Sequence, residues 1–234
     1  MRTLAIVPVK SFGAAKQRLA DRLASGSRQS LMQAMMSDVL AALRRARLVD
    51  DITVVTADPL AENVAIGNHA GIVRDTQQAG QSAAAEIGVR HAQALGFDRV
   101  LLVPGDAPLL DPGEVDALLE RCERDGVEAA IVPDRHGSGT NALVLTPPDS
   151  LAPAFGPGSR ERHEARARER GARHRLDEVP SLALDVDTAD DLAELEALLE
   201  ARRGAAPRTA GTLRQLGRAG STPSRSRPTE TLEV

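Results

Sequence analysis

The stretch Thr3-Leu4-Ala5-Ile6-Val7-Pro8-Val9 is the first of several short apolar runs whose order along the chain decides the fold. An unbroken apolar run of this length is typical of a parallel strand that is buried on both faces. Further strands are predicted at 52–56, 71–74, 99–103, 128–132, 141–145 and 182–187. Segments with helical spacing of apolar residues lie between them, at 28–45, 57–69, 82–95, 112–124, 161–170 and 189–202. This alternation predicts a three-layer α/β/α fold, with helices on both faces of a mostly parallel central sheet.

The bulk properties of the chain favour a cytoplasmic protein that does not bind nucleic acid. The 234 residues carry a formal net charge of -4, whereas nucleic-acid-binding proteins usually present a basic surface. A single cysteine, Cys122, excludes an internal disulfide and fits a reducing compartment. No apolar stretch of the sequence approaches the roughly 20 residues that a membrane-spanning helix needs. We therefore expect no association with a membrane.

The chain is expected to form one domain over residues 1–203, followed by a disordered tail over residues 204–234. In the tail the helical spacing of apolar residues is lost, and the composition becomes rich in Gly, Ala, Ser, Thr, Pro and Arg. Such a composition buries too little apolar surface to offset the entropy of ordering. The segment 161–170 also stands out, because it is highly charged and has little apolar face. A solvated helix is the simplest interpretation of that segment.

A basic loop follows the first predicted strand and carries the only two lysines of the chain. Lys10, Lys16 and Arg18 lie within nine residues of one another. Cations and backbone N–H groups in such a loop neutralise a triphosphate, and they stabilise the pyrophosphate that leaves during transfer at the α-phosphorus. Gly13, in the same loop, is assigned to nucleotide binding. The loop lacks the G-x-x-x-x-G-K-[ST] pattern of a Walker A motif, and a solvated basic loop is the alternative.

Acidic residues follow two of the predicted strands and are candidates for holding a divalent cation. Asp106 comes after the fourth strand, and Asp185 and Asp187 alternate at the end of the last strand. Mg²⁺ prefers hard oxygen ligands and usually takes one or two carboxylates together with substrate phosphates. Since Lys10 and Asp106 both follow strand ends, we expect them to face the same crevice. The alternatives are that Asp106 organises a turn and that the later acidic residues cap the last helix.

The remaining reactive side chains show no catalytic arrangement in the sequence. The five histidines lack metal-ligand spacing, and we interpret them as surface or ordinary polar residues: His69, His91, His136, His163 and His174. Cys122 lies within a predicted helix and is interpreted as packed rather than reactive.

Three motifs together resemble those of the GT-A-like, Rossmann-like nucleotidyltransferases, which include the molybdenum-cofactor guanylyltransferases. They are the basic loop, the P-G-D-x-P-L stretch at 104–109 and the D-V-D-T-x-D-D-L stretch at 185–192. The resemblance is closer to the guanylyltransferases of coenzyme F-420 biosynthesis, which act on phosphoenolpyruvate or 2-phospho-L-lactate. The opening patterns of that family, I-V-P-V-K and A-K-x-R-L, match 6–10 and 15–19, and the likeness covers about residues 1–203.

The resemblance also implies roles for individual residues. The family's T-N-A-L and F-G-x-G-S segments match 140–143 and 155–159, which assigns Thr140, Gly156 and Ser159 to the phospho-acid acceptor. Hydroxyls and a glycine N–H are suitable donors to phosphate or carboxylate oxygens. The resemblance further implies Mg²⁺ held by Asp106 and Asp187.

One segment departs from the family pattern. The family's nucleoside-contacting G-L-N-A-A reads G-Q-S-A-A at 80–84, where Gly80 and Ser82 are assigned to the nucleotide. The serine keeps a hydrogen-bonding group, but the departure leaves the preference for GTP open.

The expected reaction is transfer of GMP from GTP to phosphoenolpyruvate, with release of pyrophosphate. Phosphoenolpyruvate is favoured because the arginine-rich, lysine-poor composition resembles that of a high-GC actinobacterial source. The alternatives are 2-phospho-L-lactate as the acceptor, another nucleotidyltransferase reaction, and a non-catalytic nucleotide-binding module. The resemblance also allows a downstream transferase of coenzyme F-420 biosynthesis as a partner.

Overall fold

In the computed structural model, which describes residues 1–12 and 16–220, seven strands form one mixed sheet with helices on both faces. The strands are β1 Thr3–Pro8, β2 Asp51–Thr56, β3 Gly71–Arg74, β4 Arg99–Leu102, β5 Ala129–Pro133, β6 Thr140–Leu145 and β7 His174–Leu176. The α-helices are α1 Ser25–Arg45, α2 Pro59–Gly67, α3 Gln81–Ala94, α4 Pro112–Asp125, α5 Ser159–Arg170, α6 Ala189–Ala201 and α7 Pro207–Gly220. Short 3₁₀ helices occupy Gln17–Leu19 and Pro180–Leu182. None of the described helices is both long and apolar enough to cross a membrane.

The order of the strands places a topological switch point beside β1. The sheet order is β3-β2-β1-β4-β6-β5-β7, and β6 alone among these strands runs antiparallel to its neighbours. The chain moves outward from β1 to β3 and then returns to the other side of β1 to form β4. The predicted α/β fold with a mostly parallel sheet is confirmed. Ligands of such sheets bind outside the carboxyl ends of the strands at the switch point, here between β1 and β4.

Alternate side chains of β1 enter two separate cores. Ala5 and Val7 pack in a cluster with α1, α4 and α6, whereas Leu4 and Ile6 pack with α3 and α5 on the other face. Gly88 sets the closeness of α3 to β1, since a Cβ there would lie 2.5 Å from Ile6 Cγ2. Only glycine permits that approach. The N-terminus of α3 is therefore held close over the carboxyl end of β1.

One predicted strand is absent, and one observed strand was not expected. Residues 182–187 form no strand; after the 3₁₀ helix the chain is irregular, and the Val186 N–H donates to Asp106 O at 3.2 Å. The alternation of Leu182, Leu184 and Val186 arises because these side chains enter the core without joining the sheet. Conversely, β7 was not predicted, because it is three residues long and carries a histidine and an arginine at the sheet edge.

The expected tail begins instead with an ordered helix. Helix α7 spans Pro207–Gly220 and packs against α1. The buried Asp38 carboxylate of α1 accepts hydrogen bonds from the Arg208 and Thr209 N–H groups at 3.2 and 2.8 Å, and from Thr209 Oγ1 at 2.7 Å. The composition of the segment does not predict this helix, because its first turn is held by a buried carboxylate that lies far away in the sequence. Residues 221–234 of the expected tail lie outside the described residues.

Replacing Asp38 tests this anchor. We expect Asp38→Ala to lower the free energy of unfolding by about 1–3 kcal/mol, because buried donors of α7 lose their acceptor. Urea denaturation measures the change. The matched control is Asp21→Ala at an exposed position, which should stay within about 0.5 kcal/mol of the parent protein. Equal stability of Asp38→Ala and the control would contradict the anchoring role.

Candidate active site

A cleft of about 510 Å³ opens at the carboxyl edge of β1 and β4. Its walls come from the basic loop after β1, the N-terminus of α3, the loop after β4 and the irregular segment before α6. The charged side chains of these walls, with one glycine, are Lys10, Lys16, Asp75, Gly80, Asp106, Asp185 and Asp187. The expectation that Lys10 and Asp106 face one crevice is therefore correct.

Lys16 lies between two of the carboxylates that the sequence singled out. Its ammonium contacts Asp106 Oδ2 and lies 2.5 Å from Asp187 Oδ1. The Lys16 side chain is only 6% exposed, and its backbone has the left-handed φ of 57°. Burial alone would lower the pKa of Lys16, but the two carboxylates outweigh it and raise that pKa above its usual value. The lysine therefore stays charged and holds Asp106 and Asp187 together.

Asp185 adds a third carboxylate to this group. Burial raises its pKa above the usual value, and the charges of Asp106 and Asp187 raise it further. The Asn141 amide donates to Asp185 Oδ1 at 3.3 Å and to Leu182 O at 2.7 Å. Three acidic side chains thus share one region, and a single lysine neutralises two of them.

The donor set fits a divalent cation, although the ligand geometry is not closed. Among the described residues, no three acidic, histidine or cysteine side chains converge as a metal cage. Asp106 and Asp187 nevertheless both reach one ammonium, so their oxygens are placed to share a cation. Mg²⁺ commonly takes only one or two carboxylates and completes its shell with water and phosphate oxygens. Asp106 and Asp187 are the residues that would hold it.

The residues assigned to the nucleotide divide into two groups. Lys10 is exposed and lines the cleft, and Gly80, with φ of 106°, precedes the first turn of α3 at the cleft wall. The free N–H groups of such a helix start favour anionic ligands. Ser82 and Arg18 do not belong to the described lining of the cleft, and Arg18 is exposed. Gly13 lies outside the described residues.

Thr140 is one of the residues assigned to the acceptor, and a β-bulge turns its side chain toward α5. Ala142 belongs to the core cluster on the sheet face that α1, α4 and α6 cover, so strict alternation would turn Thr140 to that same face. The register between β5 and β6 shifts at Val132 and Pro133, and Thr140 Oγ1 lies 3.0 Å from His163 Nδ1 on α5. Bulges commonly redirect a side chain next to a ligand site.

The other two residues assigned to the acceptor lie at the start of α5. Gly156, at φ of 106°, belongs to the turn before the helix, and Ser159 is its first residue. The buried Ser159 Oγ and the buried Arg160 Nε have no hydrogen-bond partner among the described residues. Thr140 and α5 therefore meet through His163, beside the cleft rather than in its described lining.

The charged helix α5 is not simply solvated. Arg162, Arg166 and Arg170 recur every four residues, so they share one face of the helix. All three donate to backbone carbonyls of 149–157, with Arg166 Nη1 to Ala152 O at 2.8 Å and Arg170 Nη1 to Asp149 O at 2.7 Å. Arg162 donates to Ala154 O at 3.0 Å. We call these three residues the arginine ladder; it fixes the segment that carries Gly156.

Sequence reasoning missed two further residues of the site. His163, interpreted as a surface or ordinary polar residue, is fully buried and bonds to Thr140. Asp75 is buried, lines the cleft and accepts from the Gln78 N–H at 2.9 Å. No motif marks either one. The inward face of α5 consists of Ser159, His163 and Ala167, which recur every four residues but include no large apolar side chain.

The fold places a cleft that joins cations and carboxylates at the switch point of an α/β sheet. The chain belongs to the family described as "Guanylyl transferase CofC like", whose profile matches residues 3–227. A phosphoenolpyruvate guanylyltransferase from Conexibacter woesei is 51% identical over 216 residues, covering 92% of this chain and 97% of the relative. A 2-phospho-L-lactate guanylyltransferase from Methanothermobacter thermautotrophicus is 36% identical over 195 residues, covering 83% and 84%.

A solved structure supports the fold independently. A nucleotidyl transferase from the same Methanothermobacter species superposes with a TM-score of 0.63 at 19% identity, covering 86% of this chain and 99% of that one. The likeness at this identity concerns the fold. The family is the one that the three sequence motifs predicted, so that prediction is confirmed.

Replacement of Asp185 tests whether the crowding of carboxylates lowers the stability of the fold. Because the folded-state pKa of Asp185 is raised, its ionisation opposes folding, and stability is lost as the pH rises through that pKa. We expect Asp185→Asn to raise the free energy of unfolding at neutral pH by about 0.5–2 kcal/mol, since the amide oxygen still accepts from Asn141.

Urea denaturation in the presence of EDTA measures this change. The control is Asp21→Asn at an exposed position, for which we expect little effect. A less stable Asp185→Asn variant would show that attraction from Lys16, rather than repulsion from the other carboxylates, dominates at Asp185.

Proposed function

We propose that the protein transfers GMP from GTP to phosphoenolpyruvate, giving enolpyruvyl-diphospho-5′-guanosine and pyrophosphate, in coenzyme F-420 biosynthesis. A phosphate oxygen of the acceptor forms a bond to the α-phosphorus of GTP while the bond from that phosphorus to the bridging oxygen of pyrophosphate breaks. One observation carries the proposal. Asn141 ties the carboxylate group to β6, and the adjacent Thr140 bonds to His163 of α5, the helix that also carries the unpartnered Ser159 Oγ and Arg160 Nε. This arrangement supports a site in which the donor and acceptor anions would meet at one edge of the sheet.

The triphosphate half of the site is built from the basic loop and α3. Lys10 lines the cleft and Gly80 lies at the start of α3, where a ligand phosphate meets a cation and free N–H groups. Lys16 contributes the second cation. Positive charge placed where negative charge develops lowers the barrier for the departure of pyrophosphate.

Asp106 and Asp187 would hold Mg²⁺ at this site. When bound, the ion would screen the repulsion between the triphosphate and the acceptor phosphate and stabilise the charge on the leaving group. Its two carboxylates are those that Lys16 contacts, so the ammonium and a metal ion would compete for the same oxygens. That Lys16 reaches both carboxylates supports the assignment of Asp106 and Asp187.

The acceptor half is built to receive an anion. Ser159 Oγ and Arg160 Nε are buried donors without a partner among the described residues, and leaving such donors unpaired costs about 1–3 kcal/mol each. An acceptor phosphate or carboxylate would satisfy them. The 51% identity to the Conexibacter protein favours phosphoenolpyruvate, and the 36% identity to the Methanothermobacter protein keeps 2-phospho-L-lactate as the second candidate.

The chemistry needs no covalent intermediate on the protein. The acceptor phosphate is already ionised and serves as the nucleophile. Burial, together with the Asp177 charge, raises the pKa of the Cys122 thiol to about 11, so the thiol stays protonated. Cys122 also belongs to the core rather than to the cleft lining. Its interpretation as a packed residue fits this environment.

Asp75 supplies a reason for guanine preference. Guanine presents two neighbouring donors, N1–H and the 2-amino group, whereas an ionised carboxylate only accepts. Asp75 lines the cleft, and its Oδ1 is held by the Gln78 N–H. A carboxylate fixed in this way complements guanine and repels the unprotonated N1 of adenine.

Pyrophosphate release from GTP, Mg²⁺ and each acceptor tests the proposed reaction. We expect release with phosphoenolpyruvate, and a fall in kcat of about 10²-fold or more in Asp106→Asn, because the negative charge of this side chain is lost from the metal site. The matched control is Asp190→Asn, an exposed acidic residue on α6, for which kcat should stay within about twofold.

The outcomes of this assay separate the candidates. Release with 2-phospho-L-lactate alone would replace the acceptor while leaving the reaction type intact. Full activity of Asp106→Asn would overturn the metal assignment. An inactive parent protein with both acceptors would overturn the proposed reaction.

The role of Asp75 is tested with inosine triphosphate, which lacks the 2-amino group of GTP. We expect the parent protein to prefer GTP in kcat/KM by about tenfold or more, since one charged hydrogen bond is at stake. Asp75→Asn should lose most of this preference while it keeps Oδ1 for Gln78. An unchanged ratio of the two kcat/KM values in the variant would exclude Asp75 from base recognition.

A further inference from the structure

His163 lies at the centre of the acceptor half of the site. It occupies α5 one turn after Ser159 and is 0% exposed. Its ring meets the ring of Phe155 edge-on, with centroids 5.4 Å apart and an interplanar angle of 75°. A histidine enclosed in this way has fixed partners for both ring nitrogens.

The two hydrogen bonds of the ring determine which nitrogen carries its proton. The Ala154 N–H lies 2.8 Å from His163 Nε2, and a backbone N–H can only donate, so Nε2 accepts and is unprotonated. The proton of a neutral ring is then on Nδ1, which lies 3.0 Å from Thr140 Oγ1. His163 therefore donates to the threonine hydroxyl.

The electrostatic surroundings agree with a neutral ring. Burial, together with the positive charges of Arg166 and Arg162, lowers the pKa of His163 to about 4. Protonation would also place a hydrogen on Nε2, where the Ala154 N–H already points. The ring therefore stays neutral at physiological pH, with one donor and one acceptor.

This tautomer has a consequence for Thr140. A hydroxyl has one hydrogen to donate and two lone pairs with which to accept. Because Oγ1 accepts from His163, its own hydrogen is not engaged by the ring and is available to a ligand. The opposite tautomer would reverse the bond and use up the hydrogen of the threonine.

We propose that His163 is a positioning residue, which fixes the Thr140 hydroxyl as a donor to an anionic oxygen of the acceptor. Its bond to Ala154 ties the same ring to the turn that carries Gly156, so one side chain sets both elements of the acceptor half. This inference rests on the proposed function in assigning the acceptor to Thr140. The direction of the His163–Thr140 bond itself does not depend on that assignment.

Two replacements of His163 separate the two bonds. The amide of His163→Asn can take the place of Nδ1 and still donate to Thr140, whereas the longer amide of His163→Gln can take the place of Nε2 and still accept from Ala154. We expect His163→Gln to raise KM for the acceptor by about tenfold, with KM for GTP nearly unchanged. His163→Asn should retain most of the affinity for the acceptor.

The double variant tests whether His163 acts through Thr140. Thr140→Val should raise the acceptor KM to a similar extent, and His163→Gln combined with Thr140→Val should be no worse than Thr140→Val alone. Multiplied effects in the double variant, or an unchanged acceptor KM in His163→Gln, would overturn the positioning role. An inactive parent protein would instead overturn the proposed function and, with it, the role of Thr140 toward an acceptor.

The protonation of the His163 ring can also be measured directly by NMR spectroscopy on the full chain. This measurement requires neither enzymatic activity nor a folded variant. In protein labelled with ¹⁵N at histidine, we expect His163 Nδ1 to give the shift of a protonated ring nitrogen and Nε2 that of an unprotonated one. Both shifts should stay constant between about pH 6 and about pH 8, where an ordinary histidine titrates. A proton on Nε2, or titration of the ring in this range, would overturn the proposal.

Discussion

The direction of β6 is the constraint on which the site depends. In a fully parallel sheet, the residues at the start of a strand lie on the edge opposite to the ligand. Since β6 runs antiparallel to β4, its first residues, Thr140 and Asn141, lie beside the carboxyl end of β4. The bulge between β5 and β6 then sends these two adjacent side chains to different partners, one on α5 and one at Asp185. A single reversed strand thus joins the two halves of the site.

The centre of the site is a charge arrangement that opposes folding in part. Three carboxylates share a region in which a single buried lysine contacts two of them, and burial together with the charges of Asp106 and Asp187 raises the pKa of Asp185. Proteins retain such arrangements where function requires them, because repulsion between like charges is relieved only when a cation binds. The left-handed backbone of Lys16 has the same character, since strained residues cluster at sites of function.

The sequence predicted the framework of the fold and part of the site. The features that it did not predict share a physical cause. Buried parallel strands and amphipathic helices leave a periodic pattern, and residues that follow strand ends, such as Lys10 and Asp106, have a predictable position. The direction of β6 and its bulge leave no such pattern. His163 was missed because the residues that enclose it, Thr140 and Ala154, are not its neighbours in sequence. Helix α7 was missed for the same reason, because its anchor Asp38 lies far earlier in the chain.

The arginine ladder has one more consequence, which concerns the approach of substrate rather than its binding. Its guanidinium groups donate to backbone carbonyls, which are dipoles without net charge, so these bonds leave the positive charge of the helix uncancelled. Helix α5 carries five arginines against three glutamates. The helix beside the proposed acceptor site therefore carries an excess of positive charge on a chain whose net charge is negative. Such a local field draws small anions toward one face of the molecule and weakens as the ionic strength rises.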